Sequence, residues 1–185
     1  MRLRRTADKE RVRNPESGIT MVETLMAGAI LVIGSISMLT LIVSAIATNN
    51  RNKVDSTQTM LATSILEQIN STLIGTGTSS LTDCKGTTFS INTAPGGATA
   101  SGATIDFSQA SPPSGYYMNY VVSAPCTGAG VVQGTYDVRW RVDLVAGTGS
   151  TSTYLLTVAA RLKNHGEGNK FFSAPVTLRV MSANP

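Results

Sequence analysis

Residues 18–50 read GITMVETLMAGAILVIGSISMLTLIVSAIATNN, and this stretch decides the fold. From Thr24 to Asn50 no side chain carries a charge. At about 1.5 Å of rise per residue, Thr24–Ala47 is long enough to cross a hydrocarbon core of about 30 Å as a single helix. The residues before it are polar and basic. Residues 1–18 hold six basic side chains (Arg2, Arg4, Arg5, Lys9, Arg11, Arg13) and three acidic ones (Asp8, Glu10, Glu16). Basic residues on that side predict a cytoplasmic N-terminus and a C-terminal domain beyond the membrane. One charge enters the apolar stretch, at Glu23. A carboxylate in a membrane helix costs up to about 2.5–3.5 kcal/mol at the centre and less towards an end. The helix dipole offsets about 0.3–1 kcal/mol of that.

Helical character is expected to continue past the membrane. In Arg51–Ile74, the residues Val54, Leu61, Ile65, Leu66, Ile69 and Leu73 fall near helical spacing, with Asp55, Gln58, Glu67 and Gln68 between them. Gly75 and Gly77 then stop the pattern. One helix from about Thr20 to Ile74 is predicted, apolar all round in its first half and amphipathic in its second. Gly34 is the residue that weakens its apolar half. The domain plan is a leader (1–18), a membrane-spanning helix (19–48), an amphipathic continuation (49–75) and a β-rich extracytoplasmic domain (76–185).

Residues 75–114 are rich in Thr, Ser, Gly and Ala, and Asn92–Gly102 reads as a flexible loop. Strands follow. In Thr135–Leu144 the residues Tyr136, Val138, Trp140, Val142 and Leu144 alternate with Asp137, Arg139, Arg141 and Asp143, the period of a half-buried strand. Tyr154, Leu156, Val158, Ala160 and Leu162 repeat it, and Tyr116–Val122 and Val176–Met181 are weaker versions. The charged residues of Thr135–Leu144 read as a solvated face, and Tyr136 and Trp140 as core. Turns at Gly147–Ser152 and Asn164–Asn169 favour antiparallel neighbours. The fold class is therefore α+β: a long N-terminal helix whose second half covers the apolar face of an antiparallel sheet of about four strands.

The formal charge of +4 over 185 residues belongs mainly to the first 18. Beyond them nine basic residues face eight acidic ones, and no Lys/Arg cluster forms a footprint for phosphate. No nucleophile–base constellation, paired catalytic carboxylates or metal-ligand spacing stands out, so an enzyme, a metal and a cofactor have no residue support. His165, the one histidine, reads as a loop residue in Asn164–Gly168. Gly128-Ala129-Gly130 lacks the lysine and helix of a phosphate loop. Cys84 and Cys126 are the two cysteines. Outside the cytoplasm they read as a disulfide closing a loop of about 40 residues, worth about 3–4 kcal/mol on the entropic estimate. A metal or redox role for the pair lacks further Cys or His partners.

A cut after Gly18 would give Ile19 a new α-amino group and make Glu23 the fifth residue of the shortened chain. An amine on a neighbouring subunit could then pair with Glu23 in an apolar bundle and set the register. Gly18 before the join, a hydrophobic residue after it, Glu23 five residues in and an uninterrupted apolar helix resemble the type IV pilin and pseudopilin family. The long basic leader, the polar segment after the apolar run and the Ser/Thr-rich loops are most like a PilV-like minor pilin. The resemblance covers about 30 residues. It implies a prepilin peptidase that cuts between Gly18 and Ile19 and methylates the Ile19 amine. It also implies inner-membrane residence before assembly, with lipid around the helix, an assembly platform as partner, and packing with other major and minor pilins in a fibre. Any DNA or surface ligand is unassigned. The chain departs from the family in having Ile19 where Phe is usual, and Thr40 where major pilins often carry a helix-bending proline. A type II secretion pseudopilin fits the same pattern, although no clustered Asp or Glu suggests a calcium site. A plain single-pass anchor, or a domain secreted after a cut at Ala45-Ile46-Ala47, is the reading of a different class.

Overall fold

The computed structural model describes residues 19–72, 74, 77–146, 152–165 and 174–184. The leader and the turns expected at Gly147–Ser152 and Asn164–Asn169 lie wholly or largely outside them. The chain divides into two units, one reaching Ile46 and the other running from Ala47 onward.

Helix α1 spans Met21–Ser71. In the first unit, every described residue is exposed, including Leu31 (70%) and Leu41 (71%). The backbone stays helical through Gly28 and Gly34. Hydroxyls in this run turn back onto the helix: Ser35 donates to the Leu31 carbonyl at 2.8 Å, Ser37 to Ile33 at 2.9 Å and Thr40 to Ser37 at 2.7 Å. Each of these three hydroxyls thus finds its partner inside the helix, which lowers the cost of placing it in an apolar medium. The helix is long and apolar enough to span a membrane, with a window of mean hydropathy 2.5.

In the second unit the buried stripe of α1 is Val54, Gln58, Leu61, Ala62, Ile65 and Ile69. Spacings of three and four residues place all six on one face. Gln58 is a correction to the sequence reading, which set it among the solvent-side residues; its helical position, not its polarity, decides its burial. The helix also ends before Ile74. The Gln68 carbonyl accepts from the amide and the hydroxyl of Thr72 at 3.2 and 2.8 Å and from the Ser71 hydroxyl at 3.0 Å, closing the last turn.

Strands β1 (Thr78–Thr82) and β2 (Thr88–Asn92) form an antiparallel hairpin. Short pairings follow at β3 (Gly96–Gly97), β4 (Ala100–Ser101) and β5 (Thr104–Ile105). The main sheet contains β3, β6 (Tyr117–Ala124), β7 (Val131–Ala146), β8 (Ser152–His165) and β9 (Val176–Asn184). All its pairings are antiparallel. Because β8 runs along one side of β7, β6 and β3 share the other, end to end, so the sheet is four strands wide as expected. The four long strands coincide with the four read from alternation. His165 is the last residue of β8, paired with Gly134, and not a loop residue as expected.

The face carrying Met118, Tyr136, Val138, Trp140, Val142, Leu156, Val158 and Ala160 packs with the α1 stripe and with Ile91 and Tyr116 in one core. Where β6 gives way to β3, the Trp140 amide donates to the Tyr116 carbonyl at 3.0 Å and the Ala98 amide to the Trp140 carbonyl at 3.0 Å. Gly97 makes this crossing fit. A Cβ there would lie 2.5 Å from the Trp140 carbonyl oxygen, and its φ of +123° strains any other residue. Burial of this core holds the phenols of Tyr116 and Tyr136 protonated above the ordinary value of 10.0, the Thr57 hydrogen bond opposing it at Tyr136. Tyr120 is raised by burial first and then by the Asp83 charge. Phenols that keep their protons longer folded than unfolded stabilise the fold below about pH 10, and that contribution disappears as pH rises through their folded values. In an alkaline titration followed by phenolate absorbance, these three should ionise late and the urea midpoint should fall over the same range. Ionisation of all three at the free-phenol value would contradict this.

The opposite face is not the solvated surface expected from its charges. Asp137 and Arg139 are 4% and 6% exposed. The segment from Ala98 to Gln109 folds over them, and Ala98, Ile105 and Ala159 form a second small core with Phe107 against it. The expected flexible loop at Asn92–Gly102 is instead pinned by two-residue bridges and by the Thr99 amide donating to Gln109 Oε1 at 2.9 Å. The alternation gave the correct facing of each residue; the cover came from a segment without periodicity.

Candidate functional site

The site read from the sequence lies at the start of α1. Gly18 lies outside the described residues. Ile19 is 78% exposed and precedes the helix. Thr20 is the N-cap: its Oγ1 accepts the Glu23 amide at 3.3 Å, and its carbonyl accepts the Thr24 amide at 3.2 Å. Thr20-Met21-Val22-Glu23 has the spacing of a capping box, in which a hydroxyl and a carboxylate three residues later serve the orphan amides of the first turn. That signal was present in the sequence and supplies a local role for Thr20. It fixes Glu23 in the first turn of α1, at the positive end of the helix dipole.

The arrangement offers no reaction chemistry. It presents one carboxylate at the head of an apolar rod. Among the described residues no group of three or more His, Cys, Asp or Glu could hold a metal ion.

The second predicted site is formed as read. Cys84 and Cys126 are joined, with Cα atoms 4.7 Å apart and a separation of 42 residues. Around it are contacts the sequence reading missed. Asp83, 6% exposed, accepts the amides of Lys85 at 2.9 Å and Thr87 at 2.8 Å on Oδ1, and that of Val121 at 3.3 Å on Oδ2. The Lys85 ammonium donates to the carbonyls of Gly128 at 2.8 Å and Gly130 at 3.0 Å. The β1–β2 turn is therefore tied to β6 and to the β6–β7 loop by one covalent bond and several polar ones. Gly130 packs so closely that a Cβ there would overlap the Pro125 carbonyl oxygen. Replacing both cysteines by serine should cost about 2–5 kcal/mol. Urea unfolding of the oxidised protein and the double variant checks it; midpoints that coincide would show the polar contacts suffice alone.

The charged residues of β7 form a third cluster. Arg139 forks onto Asp137, Nε to Oδ1 and Nη2 to Oδ2, both at 2.9 Å. Its Nη1 donates to the carbonyls of Asp106 at 3.2 Å and Gln109 at 2.9 Å. Phe107 lies against the guanidinium groups of Arg139 and Arg161, at 5.2 and 4.6 Å from its ring centre. Asp106 itself is held below the usual carboxylate value by hydrogen bonds from Ser108, its side chain first and then its amide. This cluster fastens the covering segment to the sheet. Arg141 and Asp143 pair at 2.7 Å on the part-exposed end of the strand.

No protein-family model, curated protein or solved structure matches the chain.

Proposed function

We propose that the chain is a type IV pilus subunit, a minor pilin of the PilV-like kind, that assembles through its N-terminal helix. The observation that carries this reading is at the head of α1. The helix begins at Met21, immediately after the Gly18–Ile19 join, with Thr20 as its cap and Glu23 in its first turn. Among the described residues, every apolar side chain from Leu25 to Ile46 is exposed. A helix apolar all round needs lipid or other helices about it. In this reading prepilin peptidase cuts after Gly18 and methylates Ile19, the inner membrane holds the helix until assembly, and Glu23 then pairs with a neighbour's amine. The β-rich unit stands outside the cytoplasm, where its disulfide persists.

Intact mass and N-terminal sequencing of the membrane-extracted protein test the proposal. A methylated Ile19 at the N-terminus is expected. A start at Thr48 would point to secretion, and retention of residues 1–18 to a plain anchor. Glu23→Ala should still be cleaved and still insert, but filament incorporation should drop by about tenfold or more, since an unmatched amine would be left in the bundle. Incorporation at the wild-type level would remove the pairing argument.

A further inference from the structure

The second unit contains an open cleft of about 220 Å³ lined by Asn50, Lys53, Val54, Thr57, Val122, Gln133 and Tyr136. We propose that this cleft and its basic rim engage the headgroups of anionic phospholipids before assembly. The inference rests on the membrane-inserted reading of α1.

The cleft follows closely in sequence on the apolar run that ends at Ala47. Asn50, Lys53, Val54 and Thr57 have the three-and-four spacing of one helix face. That face meets β6 and the first part of β7 through Val122, Gln133 and Tyr136. Val54 and Val122 give it apolar walls, while the amides of Asn50 and Gln133 and the Lys53 ammonium give it donors for a phosphate ester. The Thr57 hydroxyl donates to the Lys53 carbonyl at 2.9 Å. The volume is below the roughly 300–1,000 Å³ of pockets that enclose whole small-molecule ligands, so it suits a headgroup and not a larger molecule.

The charges around the cleft favour an anion. Arg51 and Lys53 are exposed. Of the acidic groups at this end, Asp83 is buried and committed to three backbone amides, and Asp55 is half-buried. Beside Gln133, the residues Val131 and Val132 are 75% and 37% exposed, an apolar step that suits the boundary between headgroup and acyl chain.

The full chain in vesicles tests this. Phosphatidylcholine vesicles are compared with vesicles in which part of that lipid is replaced by phosphatidylglycerol. Flotation reports insertion, and hydrogen exchange of the peptides covering residues 50–57 and 131–136 reports engagement of the cleft. Exchange should slow several-fold in the anionic vesicles only. Replacing Arg51 and Lys53 by glutamine should weaken the lipid effect by about fivefold for each charge removed, with flotation and circular dichroism unchanged. A chain that floats but exchanges alike in both lipids overturns the inference alone. So does a glutamine variant that keeps the full lipid effect, or slowing by inorganic phosphate without anionic lipid. A chain that fails to float overturns the membrane reading and this inference with it.

Discussion

Trp140→Ala should lower the stability of the β-rich unit by about 3–5 kcal/mol, the range for emptying a buried aromatic site. Trp140 is fully buried, its ring 6.3 Å from that of Tyr116, and its indole nitrogen donates to the Asn92 carbonyl at 3.0 Å. The truncation leaves a cavity that the backbone on two sides resists closing: the residue's own amide and carbonyl hold Tyr116, just before β6, and Ala98. It also removes the indole partner of the part-buried Asn92 carbonyl, a further penalty of up to about 1–3 kcal/mol. Against a total of about 5–15 kcal/mol for a typical domain, such a variant is close to unfolding at ambient temperature. Trp140→Phe separates the two contributions, since it keeps most of the apolar area and loses the N–H. Urea unfolding followed by far-ultraviolet circular dichroism gives both. A loss below about 1 kcal/mol for the alanine variant would show that the site collapses freely and that Trp140 does not organise the core.

Asp137→Ala should cost about 3–5 kcal/mol, because it leaves the Arg139 guanidinium buried and without its carboxylate. Arg161, whose Nη2 lies 3.4 Å from the same carboxylate, loses a partner too, but it is about one-third exposed and water can replace it. The double variant Asp137→Leu/Arg139→Met should be more stable than the single one, as replacing a buried ion pair by apolar groups is often neutral. Recovery should be partial. Arg139 also bonds the carbonyls of Asp106 and Gln109, so the segment from Ala98 to Gln109 loses its anchor in the double variant. Limited proteolysis should then cut that segment faster than in the wild type. A double variant less stable than Asp137→Ala would show that the carbonyl contacts, and not the charge pair, carry the energy.

These two residues mark where the sequence was legible and where it was not. The alternation from Tyr136 to Leu144 fixes which side chains share a face, because the strand period is two. It does not say what lies over the polar face. The cover comes from Ala98, Ile105 and Phe107, which sit among Thr, Gly and Ser in or beside pairings two residues long, too short for any period to show. Charge was therefore read as solvation when it was a matched pair under a lid. Gln58 was misread in the opposite sense: it was set between the apolar positions for its polarity, although its spacing from Val54 and Leu61 puts it on the buried face. At the head of α1 the apolar run, Glu23 and the Thr20 box are all local, so their geometry could be read directly from the chain. The disulfide was legible from count and compartment, whereas Asp83 beside it was not, since a lone aspartate in a turn gives no sign of the distant Val121 amide it will meet.

That aspartate has a consequence for how the sheet meets other chains. A β-strand at the margin of a sheet offers its free amides and carbonyls to any passing strand, which is how such sheets grow into aggregates. At β6 this offer is withdrawn at its middle. The Val121 amide already donates to Asp83 and the Val121 carbonyl already accepts from the Cys84 amide at 3.2 Å. The neighbouring bridge to Cys126 makes the plug covalent. An incoming strand would find the rung at Val121 taken, which interrupts continuous strand pairing along this margin.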